Sequence, residues 1–303
     1  MAGAFVGVAD DASAVYWNPS GLATGAFVSF VVMFGDSQTA PDGSEPVAAE
    51  RISGGIVALS LPPLGLGYYR QVTYGTSAPT SAVSAPQSRE EVRRSVQALA
   101  TSVVGVSLLQ SVSDYVVVGA TPKVVWGSAA RGATAILRAE EALDAAGDLD
   151  RVGTTTFDVD ASVMLAVGSI RAGLVGRNLT APSFAVSDAG EAIELGREAR
   201  VGAAWGAGWP GLARVIVSAD ADLMSRQTPL GDRRDLAGGV ETWWRGQTIG
   251  IRGGVRGSTV GETRTAVTGG VSYAVRPGFF VEAHLAHGEK DERGWSVGAR
   301  FGF

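Results

Sequence analysis

The 303-residue chain contains no cysteine. That removes disulfides, thiol nucleophiles and thiolate metal sites together. It has only two histidines, His284 and His287. Three residues apart on a strand, they would face opposite sides and cannot share a metal ion. Charged residues are sparse at 18%, the net charge is −5, and no Lys/Arg cluster exists, so nucleic acid is not an expected partner. Apolar runs of 18 residues or more are also missing, which excludes a transmembrane helix; the longest, near Ala26–Phe34, has strand length. Met1 stands just ahead of the first motif at Gly3, so no signal peptide is expected within the sequence as it begins. Glycine, in contrast, is plentiful at 42 residues, awkward for helices and useful in curved strands.

Most of the chain falls into short alternating or apolar runs divided by turn clusters, the pattern of an all-β chain. Strands are expected near 25–35, 51–61, 65–75, 97–111, 115–127, 155–168, 169–179, 195–209, 213–224, 233–245, 247–257, 264–275, 279–287 and 293–303. These number about fourteen, each close to the ~9–11 residues of a tilted membrane strand. Turns after even strands are tight, as at Pro62-Pro63-Leu64, 112–114, Pro210-Gly211, Gly246 and Arg276-Pro277-Gly278. Loops after odd strands are longer and polar, as at 36–50, 76–96, 128–154, 180–194 and 225–232. An even strand count with short turns on one rim and long loops on the other is the asymmetry of outer-membrane barrels.

Alternation assigns the faces. Val281, Ala283 and Leu285 oppose Glu282 and His284; Val215, Val217, Ala219, Ala221 and Leu223 oppose Arg214, Ser218, Asp220 and Asp222. Phe157, Val159, Ala161, Val163 and Leu165 oppose Asp158 and Asp160, and Ile249, Ile251 and Val255 oppose Arg252. A cation at the lipid midplane costs about 2–4 kcal/mol, so the charged faces are assigned to the lumen. Tyr68, Tyr69, Tyr115, Trp126, Trp205, Trp209, Trp243, Trp244, Phe279, Phe280 and Trp295 lie near strand ends, where interfacial belts place aromatics. Two loop helices are expected: one opened by the capping box Ser88-Arg-Glu-Glu91 with Val92, Val96 and Leu99 at helical spacing, the other at 136–146. Both fall on the long-loop side, as surface helices or as a cover over the barrel mouth.

The first two dozen residues do not alternate. Asp10-Asp11-Ala-Ser13 offers N-cap acceptors, and Asn18-Pro19-Ser20-Gly21 is a turn signal. Gly3-Ala-Phe-Val-Gly-Val-Ala-Asp-Asp-Ala-Ser-Ala-Val-Tyr-Trp-Asn-Pro-Ser-Gly-Leu22 resembles the mature N-terminus of the FadL-like outer-membrane barrels, a superfamily of fatty-acid and hydrocarbon transporters and PorV-type secretion barrels. The resemblance is strong over 3–22 and mostly patterned beyond. It implies a plug of residues 1–24 inside a transmembrane antiparallel β-barrel of residues 25–303, located in the bacterial outer membrane. It also implies that a leader has been trimmed from this chain or that its start has been misplaced.

The resemblance further implies passive uptake of hydrophobic small molecules such as long-chain fatty acids, with Phe5, Val6, Tyr16, Trp17, Asn18 and Pro19 on the plug side of the path. A PorV-type structural or secretion-partner role, engaging a secreted protein, is the alternative. The C-terminal Ser296-Val-Gly298-Ala-Arg-Phe301-Gly-Phe303 resembles the signal read by the barrel-assembly machinery, through Gly298, Phe301 and Phe303. Pro122 interrupts a good strand, removing a ladder donor. It reads either as a local bulge or as a gap in the wall, since such transporters release cargo sideways.

No enzyme is expected. The best catalytic candidates, Asp220, Asp222 and His284, make no poised constellation. The aspartates, about 7 Å apart on one strand face, read as a charge ladder satisfied by Arg171, Arg177, Arg252 or Arg300. Asn178, in a strand-end segment that resembles one in the same superfamily, reads as a turn residue. No Gly-x-Ser-x-Gly elbow, phosphate loop or EF-hand loop stands in its required context, and no cofactor or metal is expected. Partners are outer-membrane lipids, a hydrophobic ligand and the assembly machinery.

Overall fold

A computed structural model of the chain describes residues 1–41, 47–82, 91–186, 191–209, 212–244 and 247–303. Fourteen strands form one closed antiparallel barrel. They are β1 (Ser29–Thr39), β2 (Ala49–Leu61), β3 (Leu64–Thr76), β4 (Glu91–Ser111), β5 (Val116–Thr134), β6 (Val152–Val167) and β7 (Ile170–Arg177). The others are β8 (Glu198–Trp209), β9 (Leu212–Asp222), β10 (Asp235–Trp244), β11 (Ile249–Ser258), β12 (Thr265–Arg276), β13 (Phe279–Gly288) and β14 (Glu292–Gly302). Each pairs with the next, and β1 closes on β14 from Ser29↔Gly302 to Thr39↔Glu292, leaving no free edge. The expected strands all appear, most within three residues of their sequence-assigned ends. The first starts at Ser29 rather than residue 25, and the expected turns at 210–211 and 246 lie outside the described residues.

Period-two alternation decides which side chains meet lipid. On β14, Trp295 and Val297 are outward and exposed, as is Phe303 just past its end, whereas Glu292 faces inward and is buried. His284 points inward, its Nδ1 3.2 Å from Ser296 Oγ, and His287 lies on the opposite face. Three aromatics assigned to the interfacial belts do not belong there. Tyr69, Trp243 and Phe280 share the inward phase, and Trp243 is 5% exposed beside Phe280.

Two helix expectations change. Residues 91–111 form a strand, and Ser88-Arg-Glu90 lie outside the described residues. Val96 and Leu99 do not belong to a surface helix; they are part of the barrel wall, and helix α2 (Ala139–Gly147) packs on Val96 from outside. That helix does form where expected, but it is no cover over the mouth. Its Ala139, Ala142, Leu143 and Ala146 pack on the outer surface of β2–β4, against Ala49, Tyr74 and Val96. Arg51 ties its Asp144 to the wall at 2.8 Å. Burying the Leu143 side chain contributes roughly 1.5–3 kcal/mol to this docking.

Candidate functional site: the plugged lumen

Residues ahead of β1 fold into the bore. Helix α1 (Ala14–Trp17) and a 3-10 turn (Pro19–Thr24) bury Ala14, Val15, Pro19 and Leu22. Ala9, Ala12, Ala14, Val15 and Leu22 make one apolar cluster with Val31, Ala58 and Met164 of the wall. Close approach is possible because the wall is flat there. A Cβ added at inward-facing Gly65 would meet Leu22 at 2.6 Å, at Gly67 Val15 at 2.7 Å, and at Gly239 Met1 at 2.6 Å. At Gly173 it would overlap Asn18, and at Gly202 Asp220. Part of the unusual glycine content therefore seats the plug, and the inward phase of these glycines is the signal that marks them.

Polar contacts hold the segment. Asp220 Oδ2 accepts the Phe5 and Val6 amides, each at 2.9 Å, and Asn18 Nδ2 donates to the Val6 carbonyl at 2.9 Å. Ser20 N donates to Ser162 Oγ at 3.0 Å, and the two hydroxyls stand 2.7 Å apart. Asp10 pairs with Arg171 (3.4 Å) and Arg214 (3.3 Å), and Asp11 with Arg300 (3.6 Å). Burial pushes the Asp11 carboxyl up, against the pull of Arg300. Asp220 and Asp222 are thus no acid/base pair, and their cation differs from the expected ones. Cross-strand register sets Arg200 opposite Asp222, with its Nε 3.6 and 3.5 Å from the two carboxylates.

The structure brings the sequence-assigned plug residues together. Phe5 and Trp17 rings lie 6.0 Å apart, and Tyr16 meets Trp17 and the wall residue Tyr69, both at 5.3 Å, edge-on. The Arg177 guanidinium sits 4.4 Å over the Tyr16 ring, a stabilising cation–π geometry. Val6, Asn18 and Pro19 are buried. Above the plug, Lys123 pairs with Asp158 (3.0 Å) and Asp160 (2.7 Å) and donates to Asn178 Oδ1 at 3.0 Å. Asp160 accepts the Asn178 amide, and Asp158 accepts Thr180 through N and Oγ1. Asn178 is indeed a turn residue, at φ 55°, and this buried charge cluster fixes the root of the following loop.

Two loops fold inward. In the first, Ser183–Phe184 pair with Ile193–Glu194, placing Phe184 against Val103, Val125 and Ala129 of the inner wall. In the second, Arg226–Thr228 pair with Gly231–Arg233, and Pro229 rests on Gly75 of β3 across the bore. Burial opposes the Arg226 charge, but Glu198, Asp222 and Asp235 hold its guanidinium above the usual arginine value. Along β1 and β2, inward Met33, Ile52 and Ile56 stay half-buried, with Gln71 of β3 exposed. This wall of the lumen is therefore accessible down to the plug, against which Met33 and Ile56 pack.

Pro122 is outward and makes no bulge. Gly105↔Lys123 and Leu108↔Ala120 keep one register, while the ladder between β4 and β5 lapses at the two positions between them. Pairing to β6 continues through Pro122↔Val159. The missing donor thus belongs to the β4 side, where Ser107 Oγ and Thr121 Oγ1 bridge the lapse at 2.8 Å. Leu22, Val15 and Ser107 crowd together around Gly65 directly behind it. Among the described residues no group of three His, Cys, Asp or Glu side chains is placed to hold a metal.

The fold is that of the FadL-like outer-membrane barrels. The CymD monoaromatic hydrocarbon channel is 12% identical with a TM-score of 0.58, covering 96% of this chain and 93% of that one. The Pseudomonas putida toluene transporter TodX is 12% identical at 0.58, covering 96% and 94%. A Pseudomonas aeruginosa FadL homologue is 11% identical at 0.57, covering 99% and 96%. A family model described as "F plasmid transfer operon, TraF, protein" matches residues 57–222. No curated protein matches the sequence.

Proposed function

The chain belongs to the family described as F plasmid transfer operon, TraF, protein, and we propose that this barrel admits hydrophobic small molecules across the outer membrane, long-chain fatty acids among them. The observation that carries the reading is the coincidence of plug and wall. The lapse in the ladder at Pro122 lies where Val15, Ser20 and Leu22 back the wall. A ligand descends along Met33, Ile52 and Ile56, meets Phe5, Tyr16 and Trp17, and leaves between β4 and β5 once the plug shifts. The lumenal cations Lys123, Arg177, Arg200 and Arg252 are already paired with carboxylates. A fatty-acid head group would have to displace one of these partners, so uncharged hydrophobes pass more easily. Replacing Pro122 by valine restores the donor, and uptake of labelled toluene by cells lacking other channels is expected to fall several-fold. Unchanged uptake with normal barrel yield would remove the lateral route.

The second reading is a barrel that serves as a protein-secretion partner and moves no small molecule. Plug, two inward loops and ion-pair networks fill much of the bore, which is what a scaffold would show. Purification in detergent separates the two: a stoichiometric co-purifying lipid or hydrocarbon supports uptake, and an empty barrel that captures a secreted protein supports the partner role.

A further inference from the structure

The second inward loop crosses the whole bore. It leaves the wall between β9 and β10, and its tip residue Pro229 touches Gly75 of β3, which stands almost opposite in the ring of strands. The hairpin is short and stiff. Arg226↔Arg233, Gln227↔Asp232 and Thr228↔Gly231 pair, Thr228 Oγ1 donates to the Gly231 carbonyl at 2.8 Å, and Gly231 takes the φ of 97° that this turn requires. Its root is fixed by charge. Arg226 lies 3.5 Å from both Glu198 and Asp235, and Arg233 pairs with Asp235 at 2.8 Å. The tip is held more lightly. A Cβ added at Gly75 would meet Pro229 at 2.2 Å, so a bare notch in the wall receives the proline ring, and Arg264 donates one N–H to the Leu230 carbonyl.

The docked position leaves polar groups unmet. Arg264 is 6% exposed, yet its Nε and Nη1 find no acceptor. Glu50 of β2, buried as well, faces the charges of Arg233 and Arg226 on the hairpin and of Arg264 on the wall. Buried donors without partners cost free energy, and lifting the hairpin wets them. Docked and lifted positions are thereby brought closer in free energy. At the next inward position below Glu50, Ile52 begins the half-buried strip that runs through Ile56 to the plug.

We propose that residues 226–233 are a gate over the outer mouth, a stiff hairpin that swings about its charged root and is latched by Pro229 in the Gly75 notch and by Arg264 on the Leu230 carbonyl. Docked, it separates the strip at Ile52 from the outside; lifted, it opens the way down. This rests on the reading that hydrophobic molecules enter from the loop side, and it adds what admits them.

The chain has no cysteine, so Ile52→Cys introduces a single thiol. Its rate of reaction in whole cells with a charged, membrane-impermeant methanethiosulfonate reads how often the mouth is open. Gly75→Val fills the notch and is expected to speed the reaction about tenfold, the scale of an overpacked contact. Arg264→Met removes the other tie and should speed it about tenfold as well, the scale of one lost charged hydrogen bond. Gly153→Cys, at the outer end of β6 with nothing near an added Cβ, should react alike in every background, and heat-modifiable gel migration confirms that each barrel is folded. Fast reaction of Ile52→Cys in the otherwise unaltered chain, or rates indifferent to both substitutions in folded barrels, overturns the gate. Toluene uptake is scored separately. Accelerated labelling with no uptake by any variant refutes the transport reading and leaves the gate standing; uptake with unchanged labelling does the reverse.

Discussion

Asp220 is the side chain on which plug docking depends most. Its carboxylate is 4% exposed and accepts two adjacent amides, Phe5 and Val6, both at 2.9 Å, with Arg200 Nε at 3.6 Å. Hydrogen bonds to a charged group contribute about 1.5–3 kcal/mol each, so Asp220→Ala weakens plug docking by roughly 3 kcal/mol or more. At about 1.4 kcal/mol per tenfold, the undocked population rises on the order of 100-fold. Asp220→Asn keeps the shape and one acceptor and should have the smaller effect, near tenfold. Amide hydrogen exchange at Phe5 and Val6 reads these populations in the intact barrel, while heat-modifiable gel migration reports whether the barrel itself stays closed. Unchanged exchange at both amides in Asp220→Ala, with the barrel folded, would refute the latch.

Lys123 holds two buried carboxylates, so Lys123→Met leaves them unpaired and should cost about 3–5 kcal/mol of stability; adding Asp158→Asn and Asp160→Asn should restore much of it, as measured by thermal unfolding in detergent. Phe303 meets Phe301 edge-on, ring centroids 4.3 Å apart, on the lipid face; deleting Phe303 should lower the folded yield in cells while leaving refolding into detergent intact, if Gly298, Phe301 and Phe303 form the assembly signal.

The strands were legible because lipid on one side and a polar bore on the other impose strict alternation, as on β13 and β9. The rule failed where both faces are covered. Val92, Val96 and Leu99 fit helical spacing, and α2 packs on the outward Val96 while Leu99 and Val103 face Phe184 on the inner side. With both faces apolar, period two is blurred. Periodicity found helix α2, but it cannot say on which side of the wall a helix lies; the pairing of Arg51 with Asp144 decides that. Asp220 and Asp222 were recognised as a same-face pair, whereas their partner Arg200 follows from β8–β9 register, which no single strand encodes. Asn18-Pro19 is legible as a turn, and glycines of inward phase mark where the N-terminal segment comes close to the wall.

The central claim is that the plug must move for a hydrophobic molecule to pass, and the absence of cysteine allows it to be tested cleanly. Ser20 and Ser162 hydroxyls are 2.7 Å apart, so Ser20→Cys with Ser162→Cys introduces the chain's only two thiols, close enough for a disulfide that fastens plug to wall. Labelled toluene uptake is measured with the pair oxidised and then reduced. Uptake is expected at the level of cells without the barrel when the pair is oxidised, with full recovery on reduction. Equal uptake in both states, with the disulfide shown to be complete, would contradict it.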